Sequence, residues 1–399
     1  MKILLSIVFI SFFGNSFSQE VQSKEKLTSI ANELIEDNNV DFLNKSNLGF
    51  KVLKLNPTTN IKNQQQTGTC WSFSTTSLLE SQSIKNNIGN FDLSEMYTVR
   101  NIYFEKAKNY LLRQGHAQFS EGGLGHDVIA STSTYGAIPE NSYTGLPDKI
   151  KSYNHTSLYK ELKSYIDSLL QIAGKNSLSN WTIGYNNILD KYLGVAPENF
   201  TYNNKTYTPI SFSKDVLHFN AEDYINITSF NHHPYYQPFI LEVPDNFSNG
   251  SYFNVHLSEM IQAVKVALLN GYTVLWDTDI SNDGFNKEKG IALNITKEKL
   301  SSISTINPDI AEDPFNENIR QNLFENLKTQ DDHLMHIIGM EKSKDGKIFF
   351  IVKNSWGKNS GPYKGYIHVS EAYFAINTIS LVLPKAALNK DLLKQLKIQ

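Results

Sequence analysis

The chain of 399 residues contains a single cysteine, Cys70, which follows Gly68 and Thr69. A thiol attacks carbon only as the thiolate, and an ordinary cysteine is mostly protonated at neutral pH. The pattern from Trp71 to Asn87 predicts a helix, so Cys70 is expected at a helix N-terminus, where unpaired N–H groups favour negative charge. Without a second cysteine, neither an intrachain disulfide nor a Cys-based zinc site is expected. The thiol is therefore either a buried structural group or a nucleophile.

A nucleophilic cysteine needs a base, and none of the ten histidines lies near Cys70 in the sequence. His333 stands at the entrance of a predicted strand, and His336 lies three residues further on. Because residues an odd number apart on a strand point to opposite faces, only one of the two can face Cys70. His232 and His233 lie in a Pro- and Tyr-rich loop without metal-ligand spacing, so they are predicted to be surface residues.

Amide side chains supply two further functions. Asn354 ends a predicted strand and can accept the second ring N–H of a catalytic histidine, while Trp356 shields that bond from water. A tetrahedral intermediate also needs donors for its oxyanion, and the backbone N–H of Cys70 is one. Three glutamines before the cysteine are equally suitable second donors by residue type: Gln64, Gln65 and Gln66.

The elements that must position these groups are helices first and strands later. Helices are predicted over residues 71–87, 93–112, 124–135, 160–173, 186–193 and 257–270. Strands are predicted over residues 272–276, 334–340, 348–353, 365–369 and 379–383, with a hairpin over 202–208. This order predicts an α+β fold of two lobes with a cleft between them.

The N-terminus has the pattern of a signal peptide. Lys2 precedes an apolar run from Ile3 to Phe13, and the small residues Ser16 and Ser18 suggest cleavage before Gln19. The run is too short to span a bilayer, so no membrane anchor is expected. The sequence therefore predicts a secreted or periplasmic protein.

Composition limits the partners. The chain is 40% hydrophobic and 19% charged, its formal net charge is −3, and it has no basic stripe or acidic tail, so nucleic acid is not expected as a partner. No cofactor and no metal site are predicted. The expected domains are a signal peptide (1–18), an N-terminal extension (19–50), a helical lobe with the nucleophile (51–150), an insertion (151–245), a β-rich lobe with the histidine and asparagine (246–385) and a C-terminal tail (386–399).

Four motifs in this order resemble those of the papain-fold cysteine peptidases. They are Gln64 six residues before the cysteine, Gly68-Thr69-Cys70-Trp71-Ser72-Phe73, Asp332-His333 and Lys353-Asn354-Ser355-Trp356-Gly357. The resemblance implies a papain-like two-lobed fold, in which a helical lobe faces a β-barrel lobe and carries a large helical insertion.

The resemblance also implies a role for each residue of the site. The implied catalytic residues are Cys70 as nucleophile, His333 as its base, Asn354 as the orienter of that histidine and Gln64 as oxyanion donor. The implied substrate-binding residues are Gly122 and Gly123, and the implied supporting residues are Trp71 and Trp356.

The number of residues between the cysteine and the histidine indicates which branch of the family the chain resembles. It is 333 − 70 = 263 residues here, whereas papain-like enzymes usually have about 130–150. The insertion resembles that of the bleomycin hydrolase/aminopeptidase C branch, and the similarity runs from about residue 55 to 390. Most described members of that branch are intracellular, which conflicts with the predicted signal peptide.

The sequence therefore predicts a cysteine-type peptidase that acts on peptide or protein substrates through a thioacyl-enzyme on Cys70. The branch has a C-terminal arm that restricts it to free N-termini, and this chain ends at Gln399, soon after the last predicted strand. The ending favours endo- or broad peptidase action without deciding against aminopeptidase action, and it disfavours a homo-oligomer. Two other functions stay open: a papain-fold scaffold that binds peptide or glycan without turnover, and a thiol acyltransferase.

Overall fold

Most strands of the protein belong to one mixed sheet of eleven strands. The computed structural model describes residues 48–173, 180–303 and 306–398, so the predicted signal peptide and nearly all of the predicted N-terminal extension lie outside the described residues. The strands are β1 Lys51–Leu55, β2 Phe200–Tyr202, β3 Lys205–Tyr207, β4 Tyr224–Thr228, β5 Pro238–Ile240, β6 Ser251–Asn254, β7 Val274–Thr278, β8 Phe285–Asn286, β9 Ile291–Ala292, β10 His333–Lys342, β11 Ile348–Lys353, β12 Tyr366–Ser370 and β13 Thr378–Pro384. The order in the sheet is β5-β6-β4-β13-β7-β10-β11-β12-β9-β8, with β1 also pairing with β10, while β2 and β3 form a separate hairpin.

Strand β10 is the element around which the site is built. It pairs antiparallel with both β7 and β11, and all its residues except the last are buried. Leu334 belongs to a core cluster shared with the helices, whereas Met335 and Ile337 belong to the core cluster of the sheet. Alternate residues of β10 therefore face different lobes, so His333 and His336 lie on opposite faces.

The helices gather mainly in the first half of the chain. They are α1 Cys70–Lys85, α2 Glu95–Leu112, α3 Gly125–Tyr135, α4 Thr156–Ile172, α5 Trp181–Leu193, α6 Pro209–Asp215, α7 Leu257–Leu269, α8 Lys297–Ser301, α9 Glu317–Glu325, α10 Glu371–Asn377 and α11 Lys390–Gln395. Helix α2 begins at a serine N-cap, because the Ser94 hydroxyl accepts the Tyr97 N–H.

Helix α1 packs against β10 through small hydroxyl side chains. The Ser74 hydroxyl donates to the Leu334 carbonyl at 2.6 Å, and the Ser77 hydroxyl lies 2.9 Å from His336 Nδ1. Because each of these buried hydroxyls has a partner, its burial is not penalised by a lost hydrogen bond. The contacts run in register along both elements and hold the N-terminus of α1 beside the first residues of β10.

The predicted α+β arrangement is confirmed, and every helix and strand predicted within the described residues is present with shifted ends. Six strands, β1, β4, β5, β6, β8 and β9, were not predicted, because segments of two to five residues are too short for periodicity to identify. Strand β4 pairs with β13 in the main sheet, although it falls within the predicted insertion 151–245. The domain boundaries themselves remain predictions.

The C-terminal residues pack on the sheet lobe. Leu388, Leu392 and Leu396 are buried in the same core cluster as the apolar face of α7. Over the described ranges, none of the helices is both long and apolar enough to cross a bilayer.

Candidate active site

Cys70 is the first residue of helix α1, where the sequence placed it. Only 8% of the residue is exposed, and it belongs to the core cluster of the helical lobe. The backbone N–H of Leu334 is directed at the thiol sulfur. Cys70, the nucleophile predicted from the sequence, therefore lies against β10 at Leu334, the residue that follows His333.

The position of Cys70 does not make its thiol acidic. Burial, opposed by the Leu334 N–H and assisted by the carboxylates of Asp331, Asp277 and Asp245, raises the pKa of the Cys70 thiol to about 12. The helix N-terminus was expected to favour the thiolate, but loss of solvation outweighs that effect. In this structure the neutral thiol is therefore the stable form at pH 7.

His333 is held in one orientation by two neighbours. Its Nε2 lies 2.9 Å from Asn354 Oδ1, and its ring stacks on Trp356 with centroids 4.9 Å apart. The same Oδ1 accepts the Ser355 N–H at 2.7 Å, which fixes the orientation of the Asn354 amide. Since Oδ1 can only accept, Nε2 carries the ring proton and Nδ1 is the basic nitrogen. Burial lowers the pKa of His333 to about 4, so the ring is neutral at pH 7 and able to take a proton.

His336 faces the helix rather than the cleft. It is fully buried, and its Nδ1 contacts the Ser77 hydroxyl, to which Lys353 Nζ also donates at 2.7 Å. Burial and the nearby Lys353 ammonium lower the pKa of His336 well below its usual value. The geometry thus brings His333, and not His336, together with Asn354.

The structure also separates the three glutamines that the sequence left equivalent by residue type. Gln64 is buried, its Nε2 donates to the Thr67 carbonyl at 2.7 Å, and its Oε1 accepts from the Ser355 hydroxyl at 2.6 Å. Gln65 and Gln66 are exposed, and their side chains contact the segment around residue 153 instead. Gln64 alone is held beside the residue that follows Asn354.

The predicted substrate-binding glycines lie beside α1. Trp71 is fully buried and its Nε1 donates to the carbonyls of Gly68 and Glu121, at 3.1 and 2.9 Å. A Cβ added to Gly123 would lie 3.1 Å from the Trp71 ring, so a larger residue would crowd it. A Cβ added to Gly122 would lie 1.8 Å from Asp245 Oδ2, so a carboxylate covers the position where substrate binding was predicted.

The segment that carries Asp245 connects the two lobes beside Cys70; residues 241–250 are called the cleft loop here. Asp245 Oδ1 accepts from the Gln118 amide at 2.8 Å and from the Ser120 hydroxyl at 3.0 Å, both in the helical lobe. The backbone N–H of Asp245 is directed at the carboxylate of Asp331, just before β10. The loop is also braced internally, because Asn246 Nδ2 donates to the carbonyls at both of its ends, at 2.8 and 3.0 Å.

The sequence analysis missed this loop and its acidic partners. Asp245 and Asp331 are 86 residues apart, since 331 − 245 = 86, and Asp277 lies on a third segment. No local pattern links the three, so their meeting depends on tertiary structure. The one signal in the sequence was the position of Asp331, two residues before His333.

His232 and His233 have a partner that the sequence did not suggest. Glu242 lies 3.4 Å from His232 Nε2 and 2.6 Å from His233 Nε2, a cluster with metal-ligand chemistry. Gln321 donates from Nε2 to His232 Nδ1 at 2.8 Å, and its Oε1 accepts the Asn231 N–H, which fixes the amide. His232 Nε2 therefore carries the proton and donates to the carboxylate, so the cluster is arranged as hydrogen bonds and not as ready metal ligands.

The chain is similar in sequence to known aminopeptidases and similar in fold to a solved peptidase structure. The chain is 25% identical to aminopeptidase G of Lactobacillus delbrueckii subsp. lactis over 84% of this chain and 83% of the relative. It is 23% identical to aminopeptidase C of Listeria innocua over 84% of this chain and 82% of that relative. A crystal structure of PepW from Lactobacillus rhamnosis, 21% identical, has a TM-score of 0.69 and covers 100% of this chain and 96% of that one. The predicted papain-like fold and the aminopeptidase C branch are confirmed.

The prediction of a secreted or periplasmic protein is wrong. The match to the sequence model of the family begins at residue 9, inside the apolar run that was taken for a signal peptide. The relatives are aminopeptidases C and G, of the branch whose described members are mostly intracellular. A short apolar run has the composition of a signal peptide whether or not it is one, so composition alone misled the prediction.

The family model is that of the Peptidase C1-like family, and it matches residues 9–399. The similarity also covers 83% and 82% of the two aminopeptidases named above. Because the match spans nearly the whole chain, this protein belongs to the Peptidase C1-like family and is a cysteine-type peptidase.

Proposed function

We propose that this peptidase is an aminopeptidase, which removes N-terminal residues from peptides by nucleophilic attack of Cys70. One observation carries the proposal. The ring of His333, held by Asn354, lies at the start of the strand whose next residue directs its N–H at the Cys70 sulfur. A thiol, a neutral imidazole and an orienting amide in this order are the parts that acyl transfer by cysteine requires.

The reaction begins from the neutral pair. As the Cys70 sulfur attacks the carbonyl carbon, His333 Nδ1 takes the thiol proton, and the charge moves to the carbonyl oxygen. The tetrahedral intermediate then collapses, the C–N bond breaks, and the imidazolium of His333 gives its proton to the leaving amine. A water molecule, deprotonated by the same nitrogen, hydrolyses the thioacyl-enzyme and releases the N-terminal residue.

Gln64 is suited to stabilise the oxyanion. A side-chain amide has two N–H groups, and the contact with the Thr67 carbonyl uses one of them. The bond between Gln64 Oε1 and the Ser355 hydroxyl prevents the amide from turning over. The second N–H and the backbone N–H of Cys70 are the two donors of the proposed oxyanion hole.

Replacing Gln64 by alanine is expected to lower kcat by about 10²–10³-fold, the usual effect of losing one oxyanion donor. Steady-state kinetics on a fluorogenic aminoacyl substrate measures the loss. The matched control is Gln66→Ala, because Gln66 is exposed and contacts Asn154 on the surface. Equal kcat values for Gln64→Ala and Gln66→Ala would remove Gln64 from the oxyanion hole.

Two observations favour action at N-termini over internal cleavage. The relatives are named aminopeptidases. The cleft loop ties Gln118 and Ser120 of one lobe to Asp331 of the other, with the Asp245 carboxylate against Gly122. A loop in this position would restrict the cleft in the way implied for the C-terminal arm of the branch.

A digest of one peptide in two forms tests the function. With a free N-terminus, the peptide is expected to lose residues one at a time from that end, as read by mass spectrometry. With an acetylated N-terminus, it is expected to stay intact, and Cys70→Ala is expected to cleave neither form. Internal fragments from the acetylated peptide would contradict aminopeptidase action, and no cleavage of either form would contradict turnover itself.

A further inference from the structure

We propose that Asp331, supported by Asp277, binds the α-ammonium group of the first residue of the substrate. The inference rests on the proposed aminopeptidase function and names the group that recognises the free N-terminus.

Asp277 lies on the strand face that contacts Cys70, and Asp331 faces it from the segment just before β10. Asp277 is directly opposite Leu334 in the β7–β10 ladder, so their Cα atoms are about 5 Å apart and their side chains point to the same side. Leu334 is the residue that directs its N–H at the sulfur. Asp331 is three residues before Leu334, within about 10 Å by chain geometry. An α-ammonium two bonds from the attacked carbonyl would be held in the same region.

Asp277 is buried and Asp331 is half-buried, and neither carboxyl group has enough hydrogen-bond donors. Asp277 is 1% exposed, and its Oδ2 accepts from the Ser380 hydroxyl at 2.9 Å. Its Oδ1 and Asp331 Oδ2 are buried and have no donor. The two groups face each other, so they either share a proton or take donors from a ligand. An ammonium has three N–H donors and a positive charge, which answers both needs.

The Lys106 ammonium acts on Asp245 and Asp331 through its charge, but it forms no ion pair with either of them. Within the described ranges, no lysine, arginine or histidine forms an ion pair with Asp245, Asp277 or Asp331. Lys106 is buried and donates instead to the carbonyls of Ser120 and Gly122. Burial raises the pKa of both Asp277 and Asp331, and neighbouring carboxylates raise it further.

The cleft loop fixes the position of the proposed site. The Asp245 backbone N–H is directed at Asp331, while its carboxylate lies against Gly122. A peptide whose first residue lies at Gly122 would therefore have its amino group next to the carboxylates and its chain extending the other way. Binding of the ammonium would also neutralise charges that raise the Cys70 pKa, so a free N-terminus would favour the attacking thiolate.

The test compares Asp331→Asn with Asp332→Asn in the full chain. Asp332 is exposed and adjacent to His333, and its acceptance of the Ile280 N–H is retained by asparagine. The substrates are alanyl-aminomethylcoumarin and its N-acetyl form. For Asp331→Asn, the ratio of kcat/KM for the free amine to that for the acetyl form is expected to fall roughly ten- to a hundredfold. The Asp332→Asn ratio is expected to stay close to that of the wild type.

A second readout separates recognition from general damage. Alkylation of Cys70 by iodoacetamide, a neutral reagent, is expected to be no slower in Asp331→Asn than in the wild type, since the variant removes a negative charge near the sulfur. An unchanged substrate ratio in Asp331→Asn, with an active wild type, would overturn the ammonium site alone. Slower alkylation that accounts for the whole loss would overturn it as well.

A third substrate distinguishes the α-ammonium from the side chain of a lysine. N-acetyl-Lys-Ala-aminomethylcoumarin carries its only ammonium one residue further from the scissile bond. The wild type is expected to cleave it poorly, because the cleft loop occupies that space. Efficient cleavage that Asp331→Asn abolishes would assign the carboxylates to a lysine side chain and overturn the proposal. A wild type inactive on all three substrates would instead contradict the proposed function.

Discussion

Replacement of Cys70 by serine is expected to lower kcat by about 10⁵-fold or more, because the nucleophile is lost while the fold is kept. Serine is slightly smaller than cysteine, so the core around residue 70 changes little. A hydroxyl is a much weaker acid than a thiol, and burial already disfavours the anion at this position. His333 cannot make up that difference.

The measurement is kcat on a free-amine aminoacyl substrate, with the free energy of unfolding determined in parallel. The free energy of unfolding is expected to stay close to that of the wild type, which shows that turnover and not folding was lost. Retention of even a hundredth of wild-type kcat, after exclusion of contaminating peptidase, would contradict the nucleophile assignment.

Replacement of His333 by glutamine is expected to lower kcat by about 10⁴-fold or more, since the proposed base is removed. Glutamine can still donate to Asn354 Oδ1, so the local hydrogen bonding has a substitute. The matched variant is His336→Gln on the other face of β10. It disturbs the contact with Ser77 and is expected to lower the free energy of unfolding by about 1–3 kcal/mol.

The pair of variants gives opposite results for activity and stability. Folded His336→Gln is expected to keep most of its kcat, and His333→Gln is expected to keep most of its stability. The pH dependence follows from the same assignment. Because burial lowers the pKa of His333 to about 4, kcat/KM is expected to fall only below that pH, where the imidazole of the free enzyme is protonated. The reverse pattern in the two variants would exchange the roles of the histidines.

The sequence was sufficient for groups whose position depends on local structure. Cys70 begins α1 because a glycine-containing loop is followed by a helical pattern, and residues 333 and 336 face opposite lobes because strand geometry requires it. The choice of Gln64 came only from the family resemblance, since spacing cannot tell three consecutive amides apart. The structure separates them through the Ser355 hydroxyl, a contact made across the chain.

What the sequence could not provide depends on burial and on distant contacts. The high pKa of the Cys70 thiol results from packing and from carboxylates on other segments, whereas the sequence suggested an acidic thiol from the helix alone. The cleft loop was hidden for the same reason, because Asp245 meets Gly122 and Asp331 only in the folded chain. The sequence analysis left aminopeptidase and endopeptidase action unresolved, and this loop supports the proposed aminopeptidase action.

The most direct test of the account is the rate at which iodoacetamide alkylates Cys70 at neutral pH. The chain has one cysteine, so a single mass increase reports the reaction without ambiguity. If His333 takes the thiol proton, His333→Gln should slow alkylation by about a hundredfold or more, since the buried thiol alone seldom ionises at that pH, and His336→Gln should not. Equal rates in the wild type and in His333→Gln would show that the sulfur reacts without this histidine, and would contradict the central claim.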